Sequence, residues 1–143
     1  MNVKLPAVSW TSGVATRLFL LRADINNRIY VDKSLTNNTL NYVLTFGATS
    51  RGVNVTTTTE DWFEIGLVWS KAGNFCRFFF NGVQQGADQV PGVWAGALAS
   101  TLCTIAAGST TPDNPTAGNF AHWLLLNQPA TNAQVNQKYL INP

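Results

Sequence analysis

The 143-residue chain has the length of one ordinary domain, able to bury roughly 70% of its unfolded surface without help from a metal or a disulfide. Apolar residues make up 45% but charged residues only 11%, against a usual ~25%, so Asn, Thr, Ser and Gln must supply the polar surface. A net charge of +2 on scattered Lys and Arg offers no basic stripe for nucleic acid, and no run approaches the ~20 apolar residues of a membrane-spanning helix.

From Met1 there is no charged segment followed by a continuous apolar one, so no export signal is expected. Helical periodicity is nearly absent before the last dozen residues. Short runs rich in Val, Phe, Leu, Thr and Trp predict strands over 16–21, 28–32, 40–46, 52–57, 62–70, 75–81, 102–107 and 120–126. Turn-forming residues separate them: Asn26-Asn27, Asn37-Asn38, Ala72-Gly73-Asn74, Asn81-Gly82 and a long loop over 110–115. In the middle of the chain Phe63, Ile65, Leu67 and Trp69 alternate with Glu64, Gly66 and Ser70, which marks one strand face as core. Phe78 and Phe80 alternate with Arg77 and Phe79, so the second face is partly apolar as well, and Asn81-Gly82 predicts a type I′ hairpin turn. Thr131 with Gln134 forms a capping box for one short C-terminal helix. Cys76 and Cys103 each sit inside an apolar run, where free thiols are expected to pack as small hydrophobes. A single domain spanning 1–143 follows, since no linker or repeat divides the chain.

Several of these landmarks, in this order, resemble the laminin-G-like, concanavalin A-like superfamily over residues 18–140. The opening hairpin would be Leu18-Phe19-Leu20-Leu21 with Arg28-Ile29-Tyr30-Val31. The tryptophan-led strand would run over 61–70, and the aromatic strand over 77–80 ends in Asn81-Gly82. The stretch 102–108 is similar to a later strand ending in glycine, and 120–126 to the terminal strand. The resemblance implies an all-β, two-sheet antiparallel jelly-roll sandwich. Ala121 and His122 stand where the family often has an acidic residue, and only residues 3–10 are available for its first strand. Related modules often hold calcium with an Asp, loop carbonyls and a second carboxylate. Asp24 and Asp113 are the candidates here, although both suit ordinary Asx-turns, and no required metal or cofactor is expected.

Glycosidases of the same superfamily need a carboxylate pair about 5–9.5 Å apart, whereas Glu60 and Glu64 on one strand would stand about 13 Å apart. His122 is the only histidine, and no nucleophile elbow or phosphate-cradling Gly-rich loop accompanies it. The expectation is a protein that does not catalyse. Contact with a ligand or partner would fall first to Trp94, whose neighbours in the segment 91–96 are small, and more weakly to Tyr30 and Trp10; Trp94 could equally fold back over the core or lie in a subunit contact. Two settings remain. One is a bacteriophage virion surface protein, a capsid decoration or tail-associated component that self-associates and meets other virion proteins. The other is a carbohydrate-binding, lectin-like module of a secreted or cell-surface protein, acting outside the cell. A low-charge surface with apolar loop residues over 90–98 favours self-association in both.

Overall fold

The structure, a computed structural model, describes residues 1–47, 49–98, 103–106 and 118–121. Within them the chain forms β1 (Asn2–Lys4), α1 (Ala7–Thr11), β2 (Thr16–Asp24), β3 (Asn27–Lys33), β4 (Thr39–Phe46) and β5 (Thr49–Thr56). It continues through β6 (Phe63–Ser70), β7 (Phe75–Phe80), β8 (Val83–Gln89), β9 (Thr104–Ile105) and β10 (Asn119–Ala121). The strands make two five-stranded sheets, in the order β10-β1-β6-β7-β8 and β5-β4-β3-β2-β9. All of these pairings are antiparallel, so the protein is an all-β, two-sheet sandwich. The predicted C-terminal helix lies outside the described residues, as do Asp113 and His122.

The alternation read from the sequence sets the core. Phe63 and Ile65 are buried, with Leu67 and Trp69 packed against the same cluster, and β7 adds Cys76, Phe78 and Phe80. The opposite sheet contributes Ile29, Val31, Tyr42, Leu44 and Phe46. The Tyr42 and Phe78 rings meet across the layers at 5.2 Å, and Phe46 meets Trp69 edge-on at 5.8 Å. Burial pushes the Cys76 thiol and the Tyr42 hydroxyl upward, so both stay neutral. Tyr42 also donates its hydroxyl hydrogen to the Phe79 carbonyl, 3.0 Å away, which ties the two sheets together by a polar bond inside the core. Tyr42→Phe is expected to cost about 1 kcal/mol in urea denaturation, the net worth of such a bond. An unchanged midpoint would contradict that role.

Local chemistry explains the connections. Phe80 pairs with Val83 across a two-residue turn in which Asn81 and Gly82 both have positive φ, as a type I′ turn requires. The Asn81 amide oxygen then accepts from the Glu64 N–H at 2.8 Å, fastening this hairpin to β6. Two elements differ from expectation. Residues 3–10 do not form one strand: only Asn2–Lys4 pairs, between β6 and β10, and Pro6 precedes the helical turn of α1. That turn aims Trp10 inward. Strand β8 had no signal, because Val83–Gln89 is mostly exposed and needs no apolar alternation when β7 alone holds it.

Candidate functional site

None of the three candidate aromatic residues offers an open ring. Trp10 is 2% exposed, packs at 5.8 Å from Phe63 and donates its indole N–H to the Thr59 carbonyl at 2.9 Å. Trp94 is 3% exposed, which corrects the inference that small neighbours leave it uncovered. Residues distant in sequence do the covering: Trp69 at 4.8 Å and Phe46 at 5.1 Å, with the indole N–H bonded to the Gly96 carbonyl. Tyr30 is half-buried, with the Arg17 guanidinium 3.9 Å from its ring centre and that of Arg28 at 5.4 Å.

Burying Trp94 gives one end of the sandwich its shape. The loop over 90–98 crosses that end and is fastened at several points. Asn74, in the β6–β7 turn, accepts from the Gly92 N–H at 3.1 Å, and Asn27, at the start of β3, accepts from the Ala95 N–H at 2.9 Å. With the loop pinned and its tryptophan inside, its remaining apolar side chains face water. Val93 is 75% exposed, and Val90, Leu98 and the hairpin-tip residue Ile25 are also exposed. The result is an apolar rim at this end of the sandwich, while Val8, Val14, Leu35, Trp62 and Val83 are exposed singly elsewhere.

A second surface arises from strand register. On the outer face of the second sheet, Arg22, Arg28, Thr45 and Ser50 stand in one row across β2 to β5. The next row holds Leu20, Tyr30, Val43 and Gly52, and the third holds Arg17, Asp32, Asn41 and Asn54. Arg17 and Asp32 form a close ion pair. Burial raises the Asp32 carboxyl to about 6, although Arg17 and then Arg28 pull it back. The outer face of the first sheet is different, because there Arg77 grips Asp88 with two bonds of 2.8 and 2.7 Å.

No known protein family, characterised protein or solved structure matches the chain.

The acidic candidates are dispersed. Glu60 is exposed in the loop before β6 and Glu64 lies on the outward side of that strand. Asp24 closes an Asx-turn, accepting from the Asn27 side chain at 3.1 and 3.2 Å and from the Asn26 N–H at 2.7 Å. Those bonds, the Asn27 side chain foremost, hold its carboxyl below the usual range. Among the described residues no three His, Cys, Asp or Glu side chains gather as metal ligands. Both cysteines are free thiols, Cys76 buried and Cys103 half-buried. No described helix is long and apolar enough to cross a membrane.

Lys33 carried no signal in the sequence. It lies on the core-facing side of β3 at its end, 0% exposed, and among the described residues its ammonium reaches only the Ser12 hydroxyl and the Val14 carbonyl, each at 3.4 Å. Burial lowers its pKa. A charge desolvated without a carboxylate costs stability, so Lys33→Met is expected to raise it by about 1 kcal/mol in urea denaturation. A loss of stability would show that the two weak bonds outweigh the desolvation.

Proposed function

We propose that the chain is a non-catalytic binding and assembly module, a single domain of the concanavalin A-like and laminin-G-like jelly-roll type. Its proposed setting is the bacteriophage virion surface, as a capsid decoration or tail-associated protein. The observation that carries this reading is the pinned loop over 90–98, which holds Val90, Val93 and Leu98 out in water beside Ile25. Exposed apolar side chains on a rigid frame cost little entropy to bring into contact, and a surface with few charges opposes association weakly. Of the three aromatic candidates, Trp10 and Trp94 are committed to the core and Tyr30 packs against arginines, which leaves Trp62, 49% exposed, as the ring among the described residues that a sugar could stack on. A lectin-like module remains the second reading, supported by the polar rows of Arg, Asp and Asn beside Tyr30 on the second sheet.

Light scattering of the purified chain tests the proposal. Self-association is expected, lost in Val93→Asp without loss of the fold and unaffected by added sugars. Mass spectrometry of virions should then find the chain among their proteins. A wild-type monomer at every concentration, with glycan-array binding abolished by Tyr30→Ala, would favour the lectin reading instead.

A further inference from the structure

On the outer face of the second sheet, Arg22 and Arg28 stand directly opposite each other across β2 and β3, and like charges in that position repel. The nearby carboxylates are engaged elsewhere. Asp32 is paired with Arg17, and Asp24, close enough to Arg22 to feel its charge, already accepts bonds from Asn26 and Asn27. The Nε–H groups of Arg22 and Arg28 are buried and have no hydrogen-bond partner among the described residues. The Thr45 hydroxyl, next in the same row and on a residue only 6% exposed, has none either. Buried polar groups are nearly always satisfied, so three unsatisfied ones in one register row mark a place where acceptors are missing. The contrast with Arg77, doubly bonded to Asp88 on the other sheet, shows that an arginine on this sandwich can be saturated from within.

We propose that this row is an anion-binding site that takes one oxyanion, the carboxylate or sulfate group of an acidic ligand. It would lie between the Arg22 and Arg28 guanidinium groups, with Thr45 donating from the third strand. An oxyanion removes the repulsion between the two cations and supplies acceptors in the geometry that the planar guanidinium fork favours. Both arginines are half-buried, so part of each side chain meets solvent while the sheet beneath holds the row in place, and an ion would reach the buried donors by a shift of the guanidinium groups. The site is independent of the apolar rim and of how the module is deployed.

Inorganic sulfate, added to the full chain against chloride at equal ionic strength, is the probe. Sulfate stabilises most proteins by exclusion, so the decisive quantity is the part of the response that depends on the arginines. The melting temperature of the wild type is expected to rise by roughly 2–4 °C more than that of Arg22→Gln or Arg28→Gln. Saturable amide shifts should centre on Arg22, Arg28, Thr45 and Ser50. In chloride alone Arg22→Gln should melt no lower than the wild type, because it has lost a repulsion, whereas Arg28→Gln also gives up its contact with the Tyr30 ring. Acetate in place of sulfate separates a carboxylate reader from a reader of tetrahedral oxyanions, and saturation by either supports the site. Equal responses in wild type and variants, shifts that never saturate with either ion, or Arg22→Gln melting well below wild type in chloride would overturn it.

Discussion

Trp94→Ala is expected to remove about 3–5 kcal/mol of folding stability, the range for deleting a buried tryptophan, which is a large share of the total for a domain of this size. The loss has two sources. The indole fills the end of the core against Trp69 and Phe46, and its N–H bond to the Gly96 carbonyl helps hold the loop across the sandwich. Removing it should therefore open the loop as well as the core and weaken self-association together with stability. Urea denaturation checks the first effect. A loss below about 1 kcal/mol, typical of a surface side chain, would place the ring outside the core and undo the explanation of the apolar rim.

Asp32→Asn should change how stability depends on pH. The unfolded carboxyl titrates near pH 4, and the folded one near 6 because burial outweighs the Arg17 ion pair. Between those values the folded chain keeps a proton that the unfolded chain has released, so stability falls as pH rises through this window. Two pH units correspond to about 2–3 kcal/mol, absent below about pH 4 and fully expressed above about pH 6. The asparagine variant lacks this slope, so its stability relative to wild type should climb by about that amount between pH 4 and pH 7. Denaturant unfolding of both proteins at the two pH values measures the double difference, in which all other titrating groups cancel. Parallel behaviour, or a wild type that gains stability relative to the variant over the interval, would mean that the ion pair balances or outweighs burial.

The core strands were legible in the sequence because their burial follows a period of two: the Phe63, Ile65, Leu67 and Trp69 alternation needs no tertiary knowledge. The Asn81-Gly82 turn was legible too, since its backbone demands those residues. Strand β8 was not, because an exposed edge held by one neighbour leaves no hydrophobic pattern. Burial of Trp94 was hidden for another reason: its partners Phe46 and Trp69 lie 48 and 25 positions away in the chain, and its small sequence neighbours were misleading. The arginine row depended on register. Arg22, Arg28 and Thr45 have nothing in common along the chain, and only the β2–β3 and β3–β4 pairings set them side by side. Lys33 shows the limit from the other side, since a lysine at the end of a strand gives no sign that its ammonium will be enclosed beside Ser12.

Hydrogen–deuterium exchange, compared between the associated wild type and the Val93→Asp monomer, locates the assembly surface directly. Association through the apolar rim predicts new protection over residues 23–27 and 90–98, with the outer face of the second sheet exchanging alike in both. Protection over the β5 edge at 49–56, or no difference between the two proteins, would contradict assembly through that end of the sandwich.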